Sequence, residues 1–211
     1  MALIDYSELQ RSFGGIDIYL FDQLLRGGLS PGMRVLDAGC GGGRNLAPLL
    51  RLGFEAFATD EDPRATDAAR RLAASLAPHL PADNFRTEAV ERCSFPDDAF
   101  DAVISSAVLH FASGDEQFAA MVREMWRVLR GGGTLFCRLA STIGMADRMR
   151  RIAGRRFLLP DGSERYLVDE ELLMTLTARL GAALVDPLKT TVVQDQRCMT
   201  TWVLRKTARQ G

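Results

Sequence analysis

Val35-Leu36-Asp37-Ala38-Gly39-Cys40-Gly41-Gly42-Gly43-Arg44-Asn45 ends an apolar run on an acidic residue and then sets glycine at positions 39, 41 and 43. The run before the turn reads as a short strand covered on both faces, Met33–Asp37, and a helix is predicted from about Asn45 to Leu52, stopped by Gly53. Asp60 follows at the end of the next apolar run, Phe54–Thr59. Strand, glycine turn, helix and strand, with a carboxylate at each strand end, describe a nucleotide-type ligand lying across the carboxyl ends of two parallel strands.

The surrounding pattern extends this unit. Residues 5–28 read as helical, with Ile16, Tyr19, Leu20, Leu24 and Leu25 at helix spacing. Asp62-Pro63 opens a helix to about Ala77, and Phe85–Val90 is a third strand. Phe100–Ser105 is a fourth, Asp115–Leu129 is amphipathic, and Gly131-Gly132-Gly133 breaks that helix before a fifth strand, Thr134–Leu139. Residues 141–169 are expected to hold an arginine-rich helix and a loop at Pro160-Asp161-Gly162. Asp169 caps a helix to Leu180. The runs 183–193 and 197–204 face each other across Gln194-Asp195-Gln196, which makes them antiparallel. The fold class expected is α/β: a doubly wound, Rossmann-like, seven-stranded sheet, mostly parallel, with a C-terminal antiparallel hairpin and helices on both faces.

At 211 residues and 47% hydrophobic, the chain has material for one sizeable core. We expect a single domain, 1–211, divided into an N-terminal helical cap (1–30), a ligand-binding core (33–139), a specificity insertion (141–169) and the final hairpin (183–204). The net charge of −1 gives no global attraction to nucleic acid or acidic membranes. Lysine stands only at 189 and 206, so nearly all cations are arginine. The cysteines at 40, 93, 137 and 198 form no C-x-x-C pair and no metal spacing with His79 or His110, so no metal is expected. No basic-then-apolar leader opens the chain and no apolar run approaches the roughly 20 residues of a membrane span. The expected location is cytoplasmic.

The glycine turn discriminates between ligands. A nicotinamide fingerprint needs G-x-G-x-x-G, but its third position falls on Arg44 counting from Gly39 and on Leu46 counting from Gly41. Asp37 would repel a pyrophosphate, whereas it could accept a hydrogen bond from an ammonium. With V-L-D-A-G-C-G-G-G-R-N, Asp60, F-P-D-D-A-F-D-A-V-I-S-S-A-V-L-H-F and V-L-R-G-G-G-T-L-F in this order, the chain resembles the class I S-adenosylmethionine-dependent methyltransferases over about residues 33–139.

The resemblance implies S-adenosyl-L-methionine as cofactor and S-adenosyl-L-homocysteine as product. It places Asp37 near the methionine amino group, Gly39, Cys40, Gly41, Gly43 and Asn45 along the turn, and Asp60 on the ribose hydroxyls beside Glu61. Val90 and Ser105 would complete the pocket. The acidic residue that often meets the adenine falls on Ala89 here, with Glu88 and Glu91 nearby. Acceptors in such proteins meet the N-terminal helices and the segment after the fifth strand, which makes Tyr6, Phe13, Tyr19, His110, Arg138 and Tyr166 substrate candidates. His110 is also the candidate catalytic base, because imidazole titrates near neutrality.

The leading expectation is an enzyme transferring a methyl group to a small-molecule acceptor, mainly by positioning for in-line attack. The arginines at 148, 150, 151, 155, 156 and 165 suggest an anionic acceptor or a solvated face. The apolar run Phe157-Leu158-Leu159-Pro160 suggests a lid or the contact of a homodimer. The alternatives are a non-catalytic S-adenosylmethionine sensor or partner subunit, a nucleic-acid methyltransferase and a nicotinamide-dependent oxidoreductase.

Overall fold

The computed structural model describes residues 5–208, which divide into two compact units on either side of residues 89 and 90. The first unit alternates helix and strand. Helices α1 (Tyr6–Phe13) and α2 (Ile18–Leu25) precede β1 (Arg34–Ala38), α3 (Leu46–Arg51), β2 (Glu55–Asp60), α4 (Pro63–Leu76) and β3 (Phe85–Thr87). β1 pairs with β2, and β2 with β3, all parallel, with Asp37 opposite Ala58 and Ala38 opposite Thr59. β1 is buried after its first residue and β2 from Ala56 to Thr59, as expected of strands covered on both faces, with Asp60 partly exposed at the end of β2. The single helix expected over 5–28 is two, because Gly14-Gly15 interrupts it and Asp17 starts a new one by accepting the Tyr19 amide.

In the second unit, β4 (Phe100–Ser106) is followed by α5 (Asp115–Val128) and β5 (Leu129–Ala140). Then come β6 (Arg150–Ala153), β7 (Arg156–Leu158), β8 (Glu164–Tyr166), α6 (Glu170–Arg179), β9 (Ala182–Leu184), β10 (Lys189–Val193) and β11 (Arg197–Lys206). β4 and β5 are parallel; β11 is antiparallel to β5 and carries both β10 and β9. The run 183–193 is therefore two strands, so five strands of this unit (β4, β5, β9, β10 and β11) pair with one another. Gln194 and Asp195, at φ 47° and 55°, supply the left-handed residues of the three-residue turn 194–196, where Gln196 donates its amide to Val193 O at 2.9 Å. Trp202 is fully buried on β11 and donates Nε1–H to Thr177 Oγ1 at 3.0 Å, docking α6.

Two expectations are corrected here. The three glycines at 131–133 lie within β5, where a register irregularity between Phe100 and Ala102 absorbs them. The arginine-rich helix expected over 141–169 is a three-stranded antiparallel sheet, β6-β7-β8. Arg151 pairs with Phe157 across it and stacks its guanidinium 5.1 Å from that ring. Phe157 and Leu159 of the apolar run pack inward with Met145, Met149 and Leu167. Among the described residues, no helix is long and apolar enough to cross a membrane.

Candidate active site

The glycine turn after β1 is built by the residues that flank it. Gly39 and Cys40 donate their amides to Thr59 O at 2.8 and 3.0 Å, so the turn is sewn to the end of β2. Gly43 sits at φ 76° with a neighbouring Leu72 methyl 3.0 Å from where a side chain would start, which reserves the position for glycine. A Cβ at Gly41 or Gly42 would meet open space, so the backbone there faces a region free of protein atoms. Asp60 fixes the turn from the other strand: Oδ2 accepts Gly41 N at 2.8 Å and Oδ1 accepts Asp62 N at 3.0 Å. Each oxygen keeps further lone pairs for hydroxyl donors.

Asp37 lies beneath this turn, 2% exposed, and its Oδ2 has no partner among the described residues. Burial raises its pKa to about 7, with Asp60 adding to the rise and Arg44 opposing it. A buried carboxylate held partly protonated beside an open turn is a ready acceptor for an ammonium. These residues fit S-adenosylmethionine, whose amino group would meet Asp37 and whose ribose would meet Asp60. The cofactor contributes a sulfonium-activated methyl group; the chain's task is to bind and orient.

Other candidates in the first unit have different duties. Asn45 is 3% exposed and its Oδ1 accepts the Asp17 amide at 2.9 Å, so its carbonyl ties the turn to the start of α2. Arg44, occupying the expected third-glycine position, approaches Asp17 at 3.7 Å. Sequence reasoning missed Asp17, a buried acid that caps α2 and receives Arg44. Cys40 is buried and its thiol is pushed well above the usual range by desolvation, so it packs as a neutral group. Glu61 is exposed, and Tyr6 is 76% exposed on α1; Tyr19 is half-buried and Phe13 packs against Phe21 at 4.9 Å.

In the second unit, Val90 is buried in a single 3-10 turn, Val90–Arg92. Arg127 holds the chain just after it, reaching Cys93 O and Phe95 O while its other donors meet Asp97 and Glu124. Glu91 Oε1 accepts Gln117 Nε2 at 2.9 Å. Ser105 is fully buried and its Oγ lacks a partner among the described residues. Just after β4, Ala107 stands at φ 66°, a left-handed conformation rare for alanine, held by its amide to Arg138 O at 2.7 Å. Arg138 faces Ser106 across the β4–β5 pairing.

His110 follows in a 3-10 turn, 7% exposed. Its Nδ1 accepts the Ala140 amide at 3.3 Å, which assigns the ring proton to Nε2. Burial, then the fields of Arg165 and Arg197, lower its pKa to about 4. A neutral ring with Nδ1 engaged and Nε2 protonated presents a hydrogen-bond donor in the ligand-free protein. Tyr166 is engaged within the unit. Its hydroxyl donates to Asp115 Oδ1 at 2.7 Å and its ring stacks on Phe118 at 4.8 Å, which locks β8 onto α5. Replacing Tyr166 with phenylalanine is expected to lower stability by about 1–2 kcal/mol in urea unfolding at pH 7, because Asp115 loses a donor to its charge.

Comparison with known proteins places this geometry. Residues 36–137 match a family model described as a methyltransferase domain. A ubiquinone biosynthesis O-methyltransferase of Methylocella silvestris is 36% identical over 155 residues, 70% of this chain and 57% of that protein. A second protein of that description, from Brucella anthropi, is 28% identical over 169 residues, 76% of this chain and 64% of that protein. The chain thus spans about three-fifths of the length of these curated relatives. Among solved structures, a 1,6-didemethyltoxoflavin N1-methyltransferase of Burkholderia thailandensis superposes with TM-score 0.68 at 19% identity, covering 95% of this chain and 82% of that one. The [4+2]-cyclase SpnF superposes with TM-score 0.69 at 18% identity, covering 90% and 80%. These likenesses show a Rossmann-like α/β fold. With the matched domain, the curated relatives and the Asp37–glycine–Asp60 turn, the chain carries a class I S-adenosylmethionine-dependent methyltransferase domain over residues 36–137.

Proposed function

We propose that this protein transfers a methyl group from S-adenosylmethionine to a small-molecule acceptor in the cytoplasm. The observation that carries the reading is Asp37: a fully buried carboxylate with an unpartnered oxygen, set under a turn of open backbone and beside Asp60. The likeness to relatives named for ubiquinone biosynthesis supports a small organic acceptor. The four free, buried cysteines suit a reducing compartment. This fold serves more than one reaction, as the cyclase among the structural neighbours illustrates, so methyl transfer rather than cofactor binding is the discriminating readout.

The test is transfer itself. Purified protein given methyl-labelled S-adenosylmethionine and a metabolite extract is expected to place label in the small-molecule fraction, with S-adenosylhomocysteine formed in equal amount. Label confined to nucleic acid or protein would overturn the acceptor class. Tight cofactor binding with no transfer to any fraction would favour the sensor reading.

A further inference from the structure

In the second unit, His110 presents Nε2–H with no partner among the described residues, since its other nitrogen is held by the Ala140 amide. The next residue, Phe111, is 60% exposed, and its ring lies 4.6 Å from the imidazole. Arg165, on β8, stacks its guanidinium 4.8 Å from the Phe111 ring and gives Nη1 to the neighbouring Glu164 carbonyl. Arg197, at the start of β11, is exposed. Among the described residues neither arginine forms an ion pair. The acids nearby are otherwise engaged: Asp161 accepts Ser163 N and Oγ, and Glu164 meets Arg156 at 3.3 Å. The fields of Arg165 and Arg197 reach both His110 and Asp161, which brings the two cations to one corner.

We infer that His110, Phe111, Arg165 and Arg197 form a recognition corner for an acceptor with a planar ring and an anionic oxygen group. The exposed Phe111 face takes the ring, Nε2–H of His110 donates to the oxygen, and the two guanidiniums supply the charge. An exposed aromatic residue alone would be unremarked surface; here it sits between the buried His110 donor and the Arg165 guanidinium, with Arg197 adding its field to His110 and Asp161 a carboxylate within reach of both arginines. The corner rests on the methyltransferase reading and names its substrate class.

The chain has two histidines, and His79 is exposed in the other unit, so long-range proton–nitrogen NMR resolves His110 without knowledge of the natural acceptor. Benzoate serves as probe, with benzamide lacking the charge and acetate lacking the ring. The expected result is an Nε2–H tautomer in the free protein and a saturable shift of the His110 signals with benzoate. The ring pKa rises as the bound anion offsets the arginine field. Benzamide and acetate bind about tenfold more weakly or worse. Arg165→Gln weakens benzoate about tenfold, and exposed Arg197→Gln about threefold with a dependence on salt. Unmoved His110 signals at saturating benzoate, equal shifts with benzamide, or an Nδ1–H tautomer would overturn the proposal. S-adenosylhomocysteine titrated into the same samples separates the two claims, because its failure to bind wild type would strike the methyltransferase reading instead.

Discussion

Asp37→Asn is expected to weaken S-adenosylhomocysteine binding by about two orders of magnitude or more while making the ligand-free protein more stable at pH 8. Both effects come from one buried carboxylate. In the complex it faces an ammonium, and removing one partner of a desolvated charge pair costs about 2–5 kcal/mol or more. Without ligand, burial lifts its pKa from 3.8 to about 7. A folded-state acid with a raised pKa binds more protons than the unfolded chain between those values, so stability falls as pH rises through that window. A shift of this size corresponds to about 4 kcal/mol at most. The neutral asparagine escapes that penalty but buries an amide, so a net gain of about 1–3 kcal/mol is expected at pH 8. Thermal melts at pH 4 and pH 8 check it: the advantage of the variant should be present at pH 8 and absent at pH 4. Equal affinity for S-adenosylhomocysteine in both proteins would remove Asp37 from the site.

Asp60→Ala is the second large expected effect. The side chain holds Gly41 N and Asp62 N, so its loss frees the glycine turn and the start of α4 together. In the complex it would also lose two hydroxyl donors to a charged acceptor, each worth about 1.5–3 kcal/mol. Affinity for S-adenosylhomocysteine should fall by about two orders of magnitude or more. A smaller effect on adenine alone, which lacks the ribose, distinguishes loss of the ribose contact from collapse of the whole turn. Equal losses for both ligands would assign Asp60 a purely structural role.

The glycine turn between β1 and α3 is legible in the sequence because its chemistry is contiguous. Asp37, the glycines and the strand-ending Asp60 each declare a backbone or charge requirement within a few residues. Asp17 is not, since its importance depends on Asn45 and Arg44 across a turn, 28 positions away for the Asn45 bond. The segment 141–169 was misjudged for a different reason. Arginine and alanine favour helix locally, yet Gly154 at φ 51° turns β6 into β7, and Gly162 at φ 80° turns β7 into β8. Pairing of Arg151 with Phe157 and burial of Phe157 then override propensity. His110 shows the limit most plainly. Its identity suggested a base, whereas the Ala140 amide, 30 positions away, decides which nitrogen carries the proton.

One measurement tests the central claim most directly: calorimetric titration of S-adenosylhomocysteine at pH 6.5 in buffers of different ionisation enthalpy. An ammonium arriving at a half-protonated Asp37 displaces its proton, so wild type should show saturable binding with release of up to about one proton, seen as a buffer-dependent heat. Asp37→Asn should lose both the affinity and the proton release. Absence of binding, or binding of equal strength in the variant with no buffer dependence, would contradict the account.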